Sequence, residues 1–154
     1  MLQVNVVALT HLTKLFLPGM IARGRGRVMQ VASTAAFQPG PLMAVYYASK
    51  AYVLSLSEAL ANECEGTGVV VSALCPGPTE TGFVAAAGMG DSKLFDRGAM
   101  DARTVAVEGY RGMLAGKTIV IPGFRNNLLA RAVSFAPRGL VTKIVRRVQE
   151  SRSR

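Results

Sequence analysis

Apolar residues recur at three- and four-residue spacing through "LQVNVVALTHLTKLFLPGMIA", residues 2 to 22, the period of one face of a helix. The segment reads as a mostly buried helix whose last turns are disturbed by Pro18 and Gly19. Beyond the loop "RGRGR" comes "RVMQVAS", short and bounded by turn residues, with Val28 and Val31 on a buried strand. "QPGP" at 38 to 41 is turn chemistry, and a second long helix fits from Val45 to Glu65, stopped by "EGTG". "VVVSALC" at 69 to 75 is an apolar strand running into "PGP"; a helix across roughly 101 to 115 then leads to the strand "KTIVI" at 117 to 121. This alternation of helix and strand is expected of an α/β protein with a parallel sheet.

Two stretches break the alternation. "TGFVAAAGMGDSKLFDRGAM", 81 to 100, is small and weakly periodic and follows a strand's carboxyl end, where open α/β sheets bind ligands. Residues 125 to 154 place Leu128, Leu129, Val133, Leu140, Ile144 and Val148 between basic residues, as two short amphipathic helices broken at Pro137.

Charge sharpens that division. Residues 125 to 154 hold eight Lys/Arg against one acid, +7, whereas residues 1 to 124 hold ten against eight, +2. The chain therefore divides into a body, 1–124, and a basic helical tail, 125–154. Two readings of the tail stay open: a peripheral contact with an anionic membrane surface, or a solvated helix packed on the domain or its partner. Nucleic acid is not expected, because no recognised binding motif accompanies the charge.

With 154 residues, 50% hydrophobic and 18% charged, the chain has the composition of one globular domain. No uncharged apolar run reaches about 18 residues and the N-terminus lacks the marks of a signal peptide, which places the protein in the cytoplasm, membrane-peripheral if the tail binds lipid. Cys64 and Cys75 lack histidines at zinc spacing and read as reduced core thiols, and His11 has no acid or thiol at ligand spacing; no metal site is expected.

The candidate chemistry lies in "YYASK". On a helix Tyr46 and Lys50 share one turn, with side chains about 5–6 Å apart, and a cation fixed there would make the tyrosine a better acid. Ser33 stands thirteen residues before Tyr46, directly after a strand, so its hydroxyl would emerge at that strand's carboxyl end and could converge with the other two.

A serine, thirteen residues, then Tyr-x-x-x-Lys, followed by a strand ending in "PGPTET", resembles the short-chain dehydrogenase/reductase family; so do "VNV" near residue 5, "LPGM" closing the first helix and "ASK" around Lys50. The resemblance runs from Val4 to about Gly123. It implies a partial Rossmann-like doubly wound parallel sheet, made of the C-terminal strands and helices only. It also implies an NAD(P)-dependent oxidoreductase that interconverts a carbonyl and an alcohol by hydride transfer.

By the same resemblance Tyr46 is the general acid/base, Lys50 binds the cofactor ribose, Ser33 holds the substrate oxygen, and Asn5 holds water in a proton relay. Pro76 and Gly77 let the backbone approach the nicotinamide, while Thr79 and Thr81 contact its carboxamide, Thr81 being the better match. The cofactor is NADP or NAD, with NADP preferred by analogy, and the small residues of "FVAAAGMG" suit an apolar carbonyl or alcohol. Helices 2–22 and 45–65 would pair in a homo-oligomer. Against the same resemblance, the opening strand and glycine-rich turn that would seat the pyrophosphate are expected to be missing before Met1; "GRGRV" enters a strand rather than a helix and is no substitute. The first strand would then be an unpaired edge. A truncated, non-catalytic remnant serving at most in dimerisation is the alternative.

Overall fold

The computed structural model describes residues 1–82 and 98–150. The chain begins in a π-helical stretch, Gln3–Ala8, that runs directly into α1, Leu9–Ala22, and Pro18 is carried inside α1 without ending it. β1 (Gly26–Val31), a 3-10 turn (Thr34–Phe37) and α2 (Ala44–Glu63) follow, then β2 (Val69–Leu74), α3 (Ala102–Leu114), β3 (Ile119–Val120), α4 (Phe124–Val133) and α5 (Arg138–Gln149). The three strands form one parallel sheet in the order β1-β2-β3, with Gly26 to Val31 registered on Val69 to Leu74 and Ala73 and Leu74 on Ile119 and Val120. The α/β reading and each sequence-derived element hold; β3 is shorter and α2 stops at Glu63, where the chain turns through Cys64 and Thr67. Of the loop 81–100, residues 83–97 lie outside the described residues, including the "FVAAAGMG" segment read as a substrate surface.

The core lies between the sheet and its helices. Val53 of α2 meets Ala32, Ala73 and Cys75, while Leu17 of α1 packs with Cys64, Val69 and Val71. Buried Gln30 of β1 donates to the Thr13 hydroxyl of α1 at 3.0 Å and accepts from Ser57 of α2 at 3.0 Å, so three elements are tied by one satisfied polar side chain. These contacts fix α2 against β1, and with it the positions of Tyr46 and Lys50.

One expectation is corrected. The first helix is not mostly buried: only Leu17 of α1 is, whereas Leu2, Val4, Leu12, Leu15 and Phe16 are each more than half exposed. A narrow strip seats the helix, through Leu9, Leu17 and Met20, and nothing among the described residues covers the opposite side. Periodicity registers the apolar face but cannot say what lies across from it. The helix Gln3–Ala22 is also long and apolar enough to cross a membrane by length and composition, with mean hydropathy 1.4; Lys14 divides the uncharged run that a stricter test looks for. Its polar contacts are those of a helix docked on protein: Asn5 to Ser49, Thr10 with Tyr52, and Thr13 with Gln30.

β1 pairs only with β2 among the described residues and Val31 is 51% exposed, so the expected open edge is present. The tail is helical and broken at Pro137, which caps α5. Val141 and Val145 of α5 pack against Ala35 and Tyr47 together with Val133 and Ala136, and buried Gln149 donates to the Tyr47 hydroxyl at 2.5 Å. The inner face of the tail is therefore a packed face.

Candidate active site

Ser33 follows β1 by two residues and caps the 3-10 turn, its Oγ accepting from the Ala35 amide at 3.1 Å. The turn brings that oxygen toward the Tyr46 phenol, near enough for the serine to favour its ionised form. Ser33 Oγ also reaches the Pro76 carbonyl at 3.4 Å, and the Thr34 amide donates to the same carbonyl at 2.9 Å. The segments after β1 and β2 are thus stitched together at the carboxyl end of the sheet. Just before α2, Leu42 adopts φ 69, left-handed backbone outside glycine, which closes the "QPGP" turn immediately ahead of the helix that carries Tyr46.

Lys50 lies one turn after Tyr46, as the spacing requires. Its Nζ donates to the Val31 carbonyl at 2.8 Å and stands 5.9 Å from the centre of the Tyr46 ring. Burial lowers the Lys50 pKa, with the Cys75 thiol acting against it. Burial raises that of Tyr46, and the Ser33 side chain offsets part of the rise. The Lys50 ammonium is thus engaged by a backbone carbonyl beside the Tyr46 ring.

Asn5 sits in the π-helical turn, a feature frequent at functional sites. Its Nδ2 donates to Ser49 Oγ at 3.1 Å, and Ser49 Oγ donates to the Tyr46 carbonyl at 2.7 Å. Asn5 therefore reaches the tyrosine's backbone through a serine that the sequence reading passed over, although Ser49 is the residue directly before Lys50.

The segment after β2 is held by local contacts. A Cβ on Gly77 would stand 2.6 Å from the Asn126 side-chain amide, so the bare glycine here admits Asn126, whose Nδ2 also donates to the Pro122 carbonyl at 3.0 Å. No local signal singles out Asn126. Thr79 turns its hydroxyl onto the Gly77 carbonyl at 2.9 Å, and the neighbouring backbone pairs with Met100. Thr81 is exposed at the limit of the described segment.

Cys75, fully buried, lies behind the site: burial pushes its thiol up to about 12, against the opposing pull of the Ser33 backbone and of Lys50. It is a core thiol, as is Cys64, and no cluster of metal-ligating side chains occurs among the described residues.

A sequence model of the short chain dehydrogenase family matches residues 1–91, more than half of the chain, and the protein belongs to that family. It is similar to the oxidoreductase YvrD of Bacillus subtilis (strain 168), 40% identical over 83 residues, which are 54% of this chain and 32% of that one. Among solved structures it resembles a 7beta-hydroxysteroid dehydrogenase, with TM-score 0.81 and 26% identity over 94% of this chain and 57% of that one. It likewise resembles the short-chain dehydrogenase from Sphingobium yanoikuyae in complex with NADPH, with TM-score 0.76 and 26% identity over 98% of this chain and 58% of that one. The fold is therefore that of the C-terminal strands and helices of the Rossmann-like sheet. The family is one of dehydrogenases, and the Bacillus relative is an oxidoreductase. The chain spans about a third of the Bacillus relative and under three-fifths of the two solved structures.

Proposed function

We propose that this chain carries the catalytic half of an NAD(P)-dependent oxidoreductase that interconverts a carbonyl and an alcohol, with Ser33, Tyr46 and Lys50 as its centre. The observation that carries the reading is the convergence of the Ser33 and Tyr46 side chains at the carboxyl end of the sheet, close enough for the serine to act on the phenol, with Lys50 one helical turn away. Their convergence disfavours the non-catalytic remnant. A substrate oxygen placed beside both hydroxyls accepts a hydrogen bond from Ser33 while Tyr46 delivers its proton. A phenol held above its ordinary value of 10.0 is neutral near pH 7, which is the form that donates in the reductive direction.

The residues present fit the nicotinamide and ribose end of the cofactor: an ammonium and a phenol share one helical turn, and the loop from Pro76 to Thr81 leaves the adjacent strand end. When bound, the nicotinamide supplies or receives the hydride. Lys50 would leave the Val31 carbonyl to hold the ribose hydroxyls. Asn5 orders the site through Ser49 and joins the proton relay. Pro76, Gly77, Thr79 and Thr81 border the nicotinamide. NADP is favoured over NAD by analogy with the NADPH-bound Sphingobium enzyme, and an apolar substrate by the small residues of "FVAAAGMG" and the steroid enzyme among the neighbours.

Lys50→Ala, in protein completed by a relative's dinucleotide-binding half, should weaken both cofactor affinity and turnover by about ten- to a hundredfold, the worth of one or two charged hydrogen bonds. Calorimetric titration and steady-state rates read the two separately. Lost turnover with unaltered cofactor affinity would remove the ribose role.

We also infer that the bare face of α1, with α2 beside it, pairs with a second copy, as the family resemblance implies. Phe16, 57% exposed, lies on that face, so Phe16→Asp should leave the fold intact and shift sedimentation from dimer to monomer. A wild-type chain that sediments as a monomer at all concentrations would end this reading.

A further inference from the structure

The inner face of the tail is spent on Ala35 and Tyr47, yet its outer face is neither polar nor neutral. On α5, Leu140, Lys143, Ile144 and Arg147 recur at three- and four-residue spacing and form one exposed face, away from buried Val141, Val145 and Gln149. On α4, Phe124 and Leu128 are 82% and 58% exposed beside exposed Arg125 and Arg131, while Ala130 is buried. Between the helices Phe135 is 90% exposed. Across residues 124 to 150 there are six Lys/Arg and one acid, Glu150, for a net +5, and that acid lies 3.5 Å from Arg146.

Bulky apolar side chains interleaved with cations suit an interface that is apolar a few ångströms in and negative at its surface. The rings and aliphatic chains enter the acyl boundary while Lys and Arg extend to the headgroups. The bare face of α1 is different in kind: it is apolar with Lys14 as its one full charge, a composition suited to another protein surface. We propose that the outer faces of α4 and α5 form a docking surface for an anionic lipid bilayer. The enzymatic reading is not needed for this, and either can fail without the other.

The test uses the whole 154-residue chain with sedimented vesicles of phosphatidylcholine alone and of phosphatidylcholine with roughly one third phosphatidylserine. Co-sedimentation with the anionic vesicles is expected, with release as salt rises from about 0.1 M to about 1 M, because the screening length falls from about 10 Å to about 3 Å. Phe135→Ser and Lys143→Glu/Arg147→Glu alter only exposed positions, so circular dichroism should not change, while vesicle binding should fall at least about tenfold. Four results would overturn the proposal: no vesicle binding, equal binding to both vesicle types, binding unchanged in these variants (which would assign it to α1), or loss of self-association or of DNA binding in the same variants without any lipid binding.

Discussion

Gly40→Ala should cost the fold more than any other single methyl in the neighbourhood of the site. A Cβ at Gly40 would lie 2.1 Å from Cγ and Cδ2 of the Tyr47 ring and 2.5 Å from Cδ1. That ring cannot step aside. It is 6% exposed, packed under Val141 and Val145, and its hydroxyl is held by Gln149. Relief must come from shifting the "QPGP" turn or the first turn of α2, and overpacking of this kind costs roughly 1–3 kcal/mol, occasionally more. Either shift reaches the chemistry, because the Tyr46 ring meets Tyr47 edge-on with centroids 5.9 Å apart. The urea midpoint should fall, and α5 should loosen with it. Gly139→Ala is the control: a Cβ there meets nothing within 4 Å on an exposed position of α5, and the change should be neutral or stabilise by up to about 1 kcal/mol. Equal midpoints for the two variants would contradict the packing described.

That dependence also shows what could be read from the sequence. The Tyr46–Lys50 relation is local, set by helical pitch, so spacing alone puts both on one turn. Ser33 is legible because a strand's end fixes where its hydroxyl emerges. The strands announce themselves by apolar runs between turn residues, and the order helix-strand-helix already implies the parallel sheet. The contact between Tyr47 and Gln149 spans 102 positions and leaves no pattern in either segment. The same holds for Asn126 against Gly77, where glycine is legible as a site of close approach but the approaching group is not. Lys50 illustrates a different limit: its position follows from spacing, but the direction of its long side chain is decided by the Val31 carbonyl, a backbone atom invisible to any pattern of side chains. The exposed face of α1 belongs to the same class, since an apolar stripe records that something is to be covered and not by what.

The second large effect concerns Tyr46 itself. Phenylalanine keeps the ring and its edge contact with Tyr47, and removes only the hydroxyl on the Ser33 side of the site. Stability should change by little more than one hydrogen bond, about 1 kcal/mol, while the proton donor is lost outright. General acid catalysis contributes about 10²–10⁴-fold, and the alternative donor, Ser33, has an ordinary hydroxyl already engaged with Pro76. The direct measurement is the rate of carbonyl reduction, followed by loss of the reduced dinucleotide, for wild type and Tyr46→Phe in protein completed by a relative's dinucleotide-binding half, with unfolding curves taken in parallel. The expected rate is lower by about 10²-fold or more at nearly unchanged stability. Turnover within a few-fold of wild type in the folded variant would contradict the assignment of Tyr46 as the acid of this site.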